Sequence, residues 1–277
     1  MNLYKFRSVD TNNIVALSNR QLWFSSRDDF NDPFEGSWIR NNHISQEMLS
    51  TAVYKSKEDI GEKKYLKMLF DMGLKEEGLT NDTLFQRMAE HDLDVLINEV
   101  HGSKIVCLSM ESESNDPIEN NLMWSHYADG LRGYCLVFDN EALQQDVHES
   151  SDRSMRPIEV EYKNIPNTLK LDEFVRSKGM LGNDDTDFVQ SVTETIATKS
   201  LDWKYENEMR IVSLSKDKFH TYSQSTLKEI VLGEKMSPSH KKLVKDTVLA
   251  NHPNILIKEA RLKPNSYKIT IVPHENA

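Results

Sequence analysis

Glu206 and Glu208 stand one residue apart in the run Asp202-Trp203-Lys204-Tyr205-Glu206-Asn207-Glu208-Met209-Arg210, where acids alternate with aromatic rings. Alternate residues of a strand point to one face, so both carboxylates can enter one cleft. Like charges held that close raise the pKa of one of them, which gives an acid/base pair. Trp203 and Tyr205 in so polar a run suit a wall for a planar ligand. The same spacing also fits a solvated strand start, with Arg210 as ion-pair partner, because exposed charges are far commoner than catalytic ones.

A second group lies in Asn121-Leu122-Met123-Trp124-Ser125-His126-Tyr127-Ala128-Asp129-Gly130. His126 can bind a hydroxyl or phosphate, and Tyr127 can stack on a ring. The opposing reading is a core helix in which Leu122, Met123, Trp124 and Tyr127 pack and His126 satisfies a backbone carbonyl. A third group falls between Trp23 and Gly36. There Asn31, Asp32 and Glu35 can ligate a metal or position a substrate, or simply hold a turn by hydrogen bonds to its backbone. Arg7 offers a planar fork for phosphate, or a surface salt bridge. If the three segments meet, they form an aromatic-walled pocket with several ionisable groups. The chain has no Gly-rich phosphate loop, no G-x-S-x-G elbow and no H-E-x-x-H pair, which removes P-loop, α/β-hydrolase and zincin chemistry.

These residues need elements to carry them. Short strands are predicted at 3–7 and 21–25, with a short helix at 12–17 between them and a turn at Asn31-Asp32-Pro33. Residues 44–101 carry apolar positions at helical spacing in three blocks, broken at Gly61 and at Gly73–Gly78. Strands follow at 104–109, 133–138 and 158–162. Asn115-Asp116-Pro117-Ile118-Glu119 has the order of a helix start, with Asp116 as cap and Pro117 first in the helix, which then runs through Trp124 and Tyr127 to Gly130. Residues 167–200 look helical, with an interruption at Gly182-Asn183-Asp184-Asp185. Strands at 209–214 and 228–233, a helix capped by Ser237 and reaching Asn251, and strands at 255–262 and 267–272 complete the chain. The irregular order predicts an α+β fold with a mixed or split β-sheet core. It reads as a single domain over 1–277, with a helical insertion at about 44–101.

The 277 residues suffice for a sizeable core, and 38% hydrophobic with 28% charged residues fits a soluble globular protein. No apolar run reaches the roughly 20 residues that span a bilayer. The start, Met1-Asn2-Leu3-Tyr4-Lys5-Phe6-Arg7, lacks the pattern of a signal peptide. Cys107 and Cys135 form no CxxC pair and read as buried free thiols in a reducing cytoplasm, with no zinc site. A net charge of −10 disfavours anionic membranes and leaves nucleic acid only a local basic patch.

Taken together, Tyr4-Lys5-Phe6-Arg7, Leu22-Trp23-Phe24-Ser25, Phe30-Asn31-Asp32-Pro33-Phe34-Glu35, Met123-Trp124-Ser125-His126-Tyr127-Ala128, Arg132-Gly133-Tyr134-Cys135-Leu136 and Trp203 to Arg210 resemble the bacterial domain of unknown function 2971 family, from residue 3 to about residue 233. The order of parts is also similar to ADP-ribosyltransferases, which take NAD in a split β-sheet cleft. Those enzymes carry an Arg or His on the first strand, a Ser- or Tyr-bearing strand next and a Glu on a late strand. Arg7, Ser25-Ser26 and Glu206-x-Glu208 correspond; His126 and Tyr127 have no clear counterpart. The second resemblance implies NAD as substrate. Glu208 would stabilise positive charge on the ribose, and Glu206 would activate an unknown acceptor, with His126 beside them. Arg7 would hold the pyrophosphate, and Tyr127 or Trp203 would stack on nicotinamide. Tyr4, Ser25, Asn31, Asp32, Trp124 and Arg210 complete the implied binding set. Two other functions stay open: a non-catalytic module that senses or binds a ligand in its aromatic pocket, and a nuclease holding Mg²⁺ through Asp32, Glu35, Glu206 and Glu208. Service in bacterial defence is a further expectation.

Overall fold

The computed structural model describes residues 1–71, 80–112, 116–150, 155–177, 186–215 and 217–274. The breaks expected at Gly73–Gly78 and at Gly182-Asn183-Asp184-Asp185, and Asn115 of the expected helix start, lie outside the described residues. The fold is α+β. The chain forms two compact units. One comprises Met1–Asn31, Ser103–Tyr162 and Lys199–Ala277; the other comprises Asp32–Gly102 and Lys163–Thr198.

The first unit is built on an eight-stranded mixed sheet. Its central strands are β1 (Asn2–Arg7), β4 (Lys104–Met110), β5 (Tyr134–Asp139) and β10 (Glu208–Ser213), flanked by β6 (Met155–Glu159), β12 (Leu227–Gly233), β13 (Leu256–Leu262) and β14 (Ile269–Pro273). The order is β14-β13-β12-β5-β1-β4-β10-β6. Only β12 and β13 run parallel, joined by α9 (Pro238–Asn251); the other neighbours are antiparallel. Ser237 caps α9 as its type and the following Pro238 require, its Oγ accepting from His240 N at 3.2 Å.

Period-two alternation sorts the side chains between two faces. Leu3, Tyr134, Leu136, Phe138, Met209 and Ile211 face one core, covered by Leu143 and Val147 of α6 (Asn140–Ser150), Val244 and Val248 of α9 and Leu17 of α1 (Thr11–Ser18). Tyr4, Phe6, Cys135 and Val137 face the other, covered by Met123 and Trp124 of α5 (Asn121–Tyr127) and by Ile118. Burial on both sides explains why β5 reads as an unbroken apolar run.

Several elements differ from expectation. The second strand stops early: β2 (Gln21–Trp23) pairs with β11 (Phe219–Thr221), and Ser25 makes only an isolated bridge with Ile105. Pro117 opens a short 3-10 turn at 117–119, and Asn120 then caps a separate helix, accepting from Leu122 N at 2.9 Å. The stretch 158–162 divides into β6 and β7 (Glu161–Lys163) around Val160. Residues 167–200 are not helical throughout; they hold β8 (Asn167–Lys170), α7 (Leu171–Ser177), α8 (Thr186–Thr195) and β9 (Thr198–Ser200).

The second unit contains the three expected helices, α2 (Gln46–Ile60), α3 (Glu62–Asp71) and α4 (Asn81–His101), with α7 and α8. Ser45 and Thr80 cap α2 and α4 through their hydroxyls. β3 (Trp38–Asn41) pairs in parallel with β8.

Candidate active site

Asn207 governs the geometry around the two glutamates. It ends a 3-10 turn at 201–206 in the left-handed conformation, φ +42°, which Asn tolerates better than most residues. Its amide nitrogen donates to the Met110 carbonyl at 2.8 Å, and its own carbonyl accepts from Met110 N at 2.8 Å. The reversal turns Glu206, on the turn, toward the same spot as Glu208, the first residue of β10. The carboxylates therefore converge through a kink at Asn207 and not through strand alternation.

They converge on Lys199, the middle residue of β9. Its Nζ lies 2.6 Å from Glu206 Oε2 and 3.2 Å from Glu208 Oε2. Arg210 Nε lies 2.7 Å from Glu208 Oε1. Glu206, Glu208, Lys199 and Arg210 are 3%, 4%, 6% and 0% exposed, so the solvated-strand reading fails. Two buried anions and two buried cations balance, which such burial demands. The cations also meet aromatic faces. Lys199 Nζ sits 4.9 Å from the Trp203 ring centre, and the Arg210 guanidinium carbon 5.5 Å from that of Phe30.

The carboxylates differ in ionisation. For Glu208, burial alone would raise the pKa, but Arg210 and Lys199 outweigh it and hold the group far below the usual carboxylate range. Tyr162 fixes its backbone, accepting from Glu208 N at 2.9 Å. Glu206 goes the other way: burial raises it, with the Glu208 charge in support, against the pull of Lys199. Its Oε1 accepts a short hydrogen bond from the Tyr127 hydroxyl, which in turn accepts from Asn31 Nδ2 at 3.4 Å. Tyr127 is half-buried and Asn31 exposed, so this chain runs from the sealed cluster to the surface. Burial pushes the Tyr127 phenol up, and Glu206 pushes it further. Paired groups whose environments drive their pKa values apart are an acid/base arrangement.

The sheet forks beside this cluster. β1 and β4 pair at only two positions, Leu3–Met110 and Tyr4–Ser109. Beyond them Lys5 Nζ donates to the Cys107 carbonyl at 2.6 Å in place of a ladder bond, and Ser25 fills the wide end through two 2.9 Å bonds with Ile105. Burial and the nearby Arg7 pull the Lys5 pKa down to about 8. Cys107 is half-buried, not fully buried as expected. Burial and then Glu208 push its thiol up, away from the thiolate form.

The expected residues thus separate. Glu206, Glu208, Arg210, Tyr127 and Asn31 join one network. His126 is exposed and bonds neither carboxylate; its ring lies 6.1 Å from Tyr205 and 6.4 Å from Trp203, in an aromatic group at the rim. Trp124 is a core residue, 1% exposed, its indole N–H donating to the Ile118 carbonyl at 2.7 Å and its ring edge-on to Phe6. Tyr4 is buried and donates to Glu111 Oε2 at 3.1 Å. Arg7 lies opposite Tyr134, on the sheet face away from Glu208. Ser25 acts through its backbone. Asp32 belongs to the second unit, where Oδ1 accepts from Phe34 N at 2.9 Å and caps its own turn. For the Mg²⁺ reading, both glutamates already hold protein cations. Among the described residues no three His, Cys, Asp or Glu side chains stand where they could share a metal ion.

Residues 123–211 match the profile of the family described as "Protein of unknown function (DUF2971)". The segment carries the DUF2971 signature. The DUF2971 stretch contains both glutamates, Lys199, Arg210, Tyr127 and Tyr162, while Asn31, Lys5 and Cys107 come from outside it. No curated protein and no solved structure matches the chain. Among the described residues no helix is long and apolar enough to cross a membrane.

Sequence reasoning missed Lys199, Tyr162 and Lys5. Lys199 falls in a stretch read as helical, seven positions before Glu206. The signal available was charge balance, since a buried E-x-E flanked by apolar residues requires more than one cation.

Proposed function

We propose that the protein cleaves the nicotinamide–ribose bond of NAD and transfers ADP-ribose to a hydroxyl-bearing acceptor, with Glu206 as the working carboxylate. One observation carries this reading: of the two glutamates in the buried site, Glu206 is hydrogen-bonded through the Tyr127 hydroxyl to the exposed Asn31, while burial raises its pKa and Arg210 and Lys199 hold that of Glu208 down. The forked sheet beside them supports it, as a split sheet is what the ADP-ribosyltransferase resemblance calls for.

Glu208 is the fixed anion. It holds Lys199 and Arg210 and keeps Lys199 charged against burial. When Tyr127 turns away, Glu206 gains a free oxygen facing the rim. Nicotinamide then leaves as a neutral molecule with the bond electrons, and Glu206 stabilises the positive charge that builds on the ribose. The acceptor oxygen bonds to that carbon, and Glu206, with its raised pKa, takes the acceptor's proton. Trp203, Tyr205 and Tyr127 offer faces for the nicotinamide ring. Glu206 thus takes both of the roles that the resemblance alone divided between Glu208 and Glu206.

A second reading has its own support. The four-charge cluster is closed and internally satisfied, whereas His126, Trp203 and Tyr205 form a ring group at the surface. A module that binds a planar ligand without chemistry needs no more. Incubating purified protein with NAD separates the two. The transferase releases nicotinamide, and Glu206→Gln lowers that release by roughly a hundredfold in protein whose circular dichroism shows it folded at the assay temperature. A binding module returns NAD intact.

A further inference from the structure

A pocket of about 570 Å³ opens in the first unit, between the loop that joins β11 to β12 and the loop that leads from α9 to β13. Its floor is apolar: Leu227 is buried, and Ile255 is half-buried against the same core. Its rim is polar, formed by Gln224, Ser225 and Asn254, all exposed. The first loop is pinned from behind. Asp146 of α6 accepts from Ser223 N at 2.6 Å and from the Thr226 hydroxyl, and the Thr226 carbonyl accepts from Asp139 N at 2.9 Å. The loop is therefore set before any ligand arrives.

His252, at the end of α9, also lines the pocket. It is 3% exposed, and its ring stacks on Tyr222 with 6.2 Å between centres and 17° between planes. Nδ1 lies 3.0 Å from the Gln224 carbonyl. A carbonyl only accepts, so Nδ1 carries the hydrogen, and in the neutral ring Nε2 is a bare acceptor. Burial lowers the His252 pKa and favours that neutral ring. Nε2 has no hydrogen-bond partner among the described residues. A buried acceptor left unpaired is costly, and it defines what should meet it: a hydrogen-bond donor.

The rest of the lining narrows the class of ligand. Lys228 brings a positive charge, but Asp139 neutralises it at 2.5 Å, so the pocket asks for no net charge on its occupant. The carboxamides of Gln224 and Asn254 and the hydroxyl of Ser225 each both donate and accept. Pro253, Leu227 and Ile255 offer apolar contact. Among the described residues no Phe, Tyr or Trp lines the pocket, so a flat base would find no stacking wall. Groups that donate and accept, set around apolar contacts, match a molecule that carries hydroxyls on a C–H framework. The volume lies within the roughly 300–1,000 Å³ of small-molecule sites. We propose that this pocket binds a neutral polyol of sugar size, with one hydroxyl donating to His252 Nε2 and others bonding Gln224, Ser225 and Asn254. The inference does not depend on the NAD reading, since no residue of the glutamate cluster lines the pocket.

Titration of the full chain with glucose, ribose and sorbitol, followed by NMR of the histidine ring nitrogens, tests the site. Saturable binding of at least one of the three is expected. The free protein should show His252 with its hydrogen on Nδ1, and its Nε2 resonance should move as the polyol binds. Gln224→Leu and Asn254→Leu, both at exposed positions, should each weaken binding roughly fivefold. Glu206→Gln should bind the polyol as the wild type does, whatever becomes of its NAD chemistry. Absence of saturable binding of all three polyols overturns the proposal. So does binding that leaves the Nε2 resonance unmoved, or a His252 ring that carries its hydrogen on Nε2. Tighter binding of inorganic phosphate or of adenosine than of any polyol also overturns it.

Discussion

The two faces of the central sheet treat buried charge in opposite ways. On the face under α5, Glu206, Glu208, Lys199 and Arg210 neutralise one another within 2.6–3.2 Å contacts. On the other face Arg7 is half-buried opposite Tyr134 with the charge of Asp10 acting on it, and the buried Tyr222 hydroxyl has no partner among the described residues. The first arrangement is complete without a ligand, so any chemistry there must begin by opening it, and the Glu206–Tyr127–Asn31 chain is the edge that can open. The second keeps its charge at a half-exposed edge, where solvent reaches it.

The largest expected effect breaks the complete side. Lys199→Met leaves two buried carboxylates facing each other and should destabilise the first unit by about 3–5 kcal/mol, read from denaturant unfolding. A loss under 1 kcal/mol would mean that the cluster is solvated and the contrast between faces is false. Next is Gly133, which packs between β1 and the end of α5. A Cβ there would come within 2.1 Å of the Arg7 carbonyl and 2.9 Å of Ala128 Cα. Gly133→Ala should cost about 1–3 kcal/mol by overpacking, read from denaturant unfolding, because it shifts β1 against the end of α5.

The smallest effect sharpens the contrast within the cluster. Glu208 is depressed, so between its folded pKa and the unfolded value of about 4.3 the unfolded chain binds the extra proton and stability falls as pH falls. Glu206 is raised, so above about 4.3 and up to its folded pKa the native state binds the extra proton and stability falls as pH rises. Replacing Glu208 by Gln should remove up to about 1.4 kcal/mol per pH unit of acid sensitivity, and replacing Glu206 by Gln should remove a slope of the opposite sign at higher pH. Equal slopes in both variants would show that the two carboxylates are equivalent.

Much of the fold was legible because apolar periodicity and caps act locally. Ser237-Pro238 set the start of α9, and the apolar run 133–138 marked the doubly buried β5. The E-x-E pair and Tyr127 were legible as candidates for their composition, and they share one hydrogen-bonded network. The reason for their convergence was not, since the left-handed turn at Asn207 depends on Met110, far away in sequence. Trp124 illustrates the opposite failure: its aromatic, polar neighbourhood suggested a ligand wall, but its N–H is satisfied six residues back in the core. Lys199 and the orphaned Tyr222 hydroxyl were invisible because a single Lys or Tyr carries no pattern until tertiary structure gives it partners or withholds them.

The most direct test of the central claim is nicotinamide release from NAD by the purified full-length chain, compared with its Glu206→Gln and Tyr127→Phe variants at matched stability. Release by the wild type, lost roughly a hundredfold in Glu206→Gln, is the expected result. A folded wild-type protein that neither binds NAD nor releases nicotinamide, or a Glu206→Gln variant as active as wild type, contradicts it.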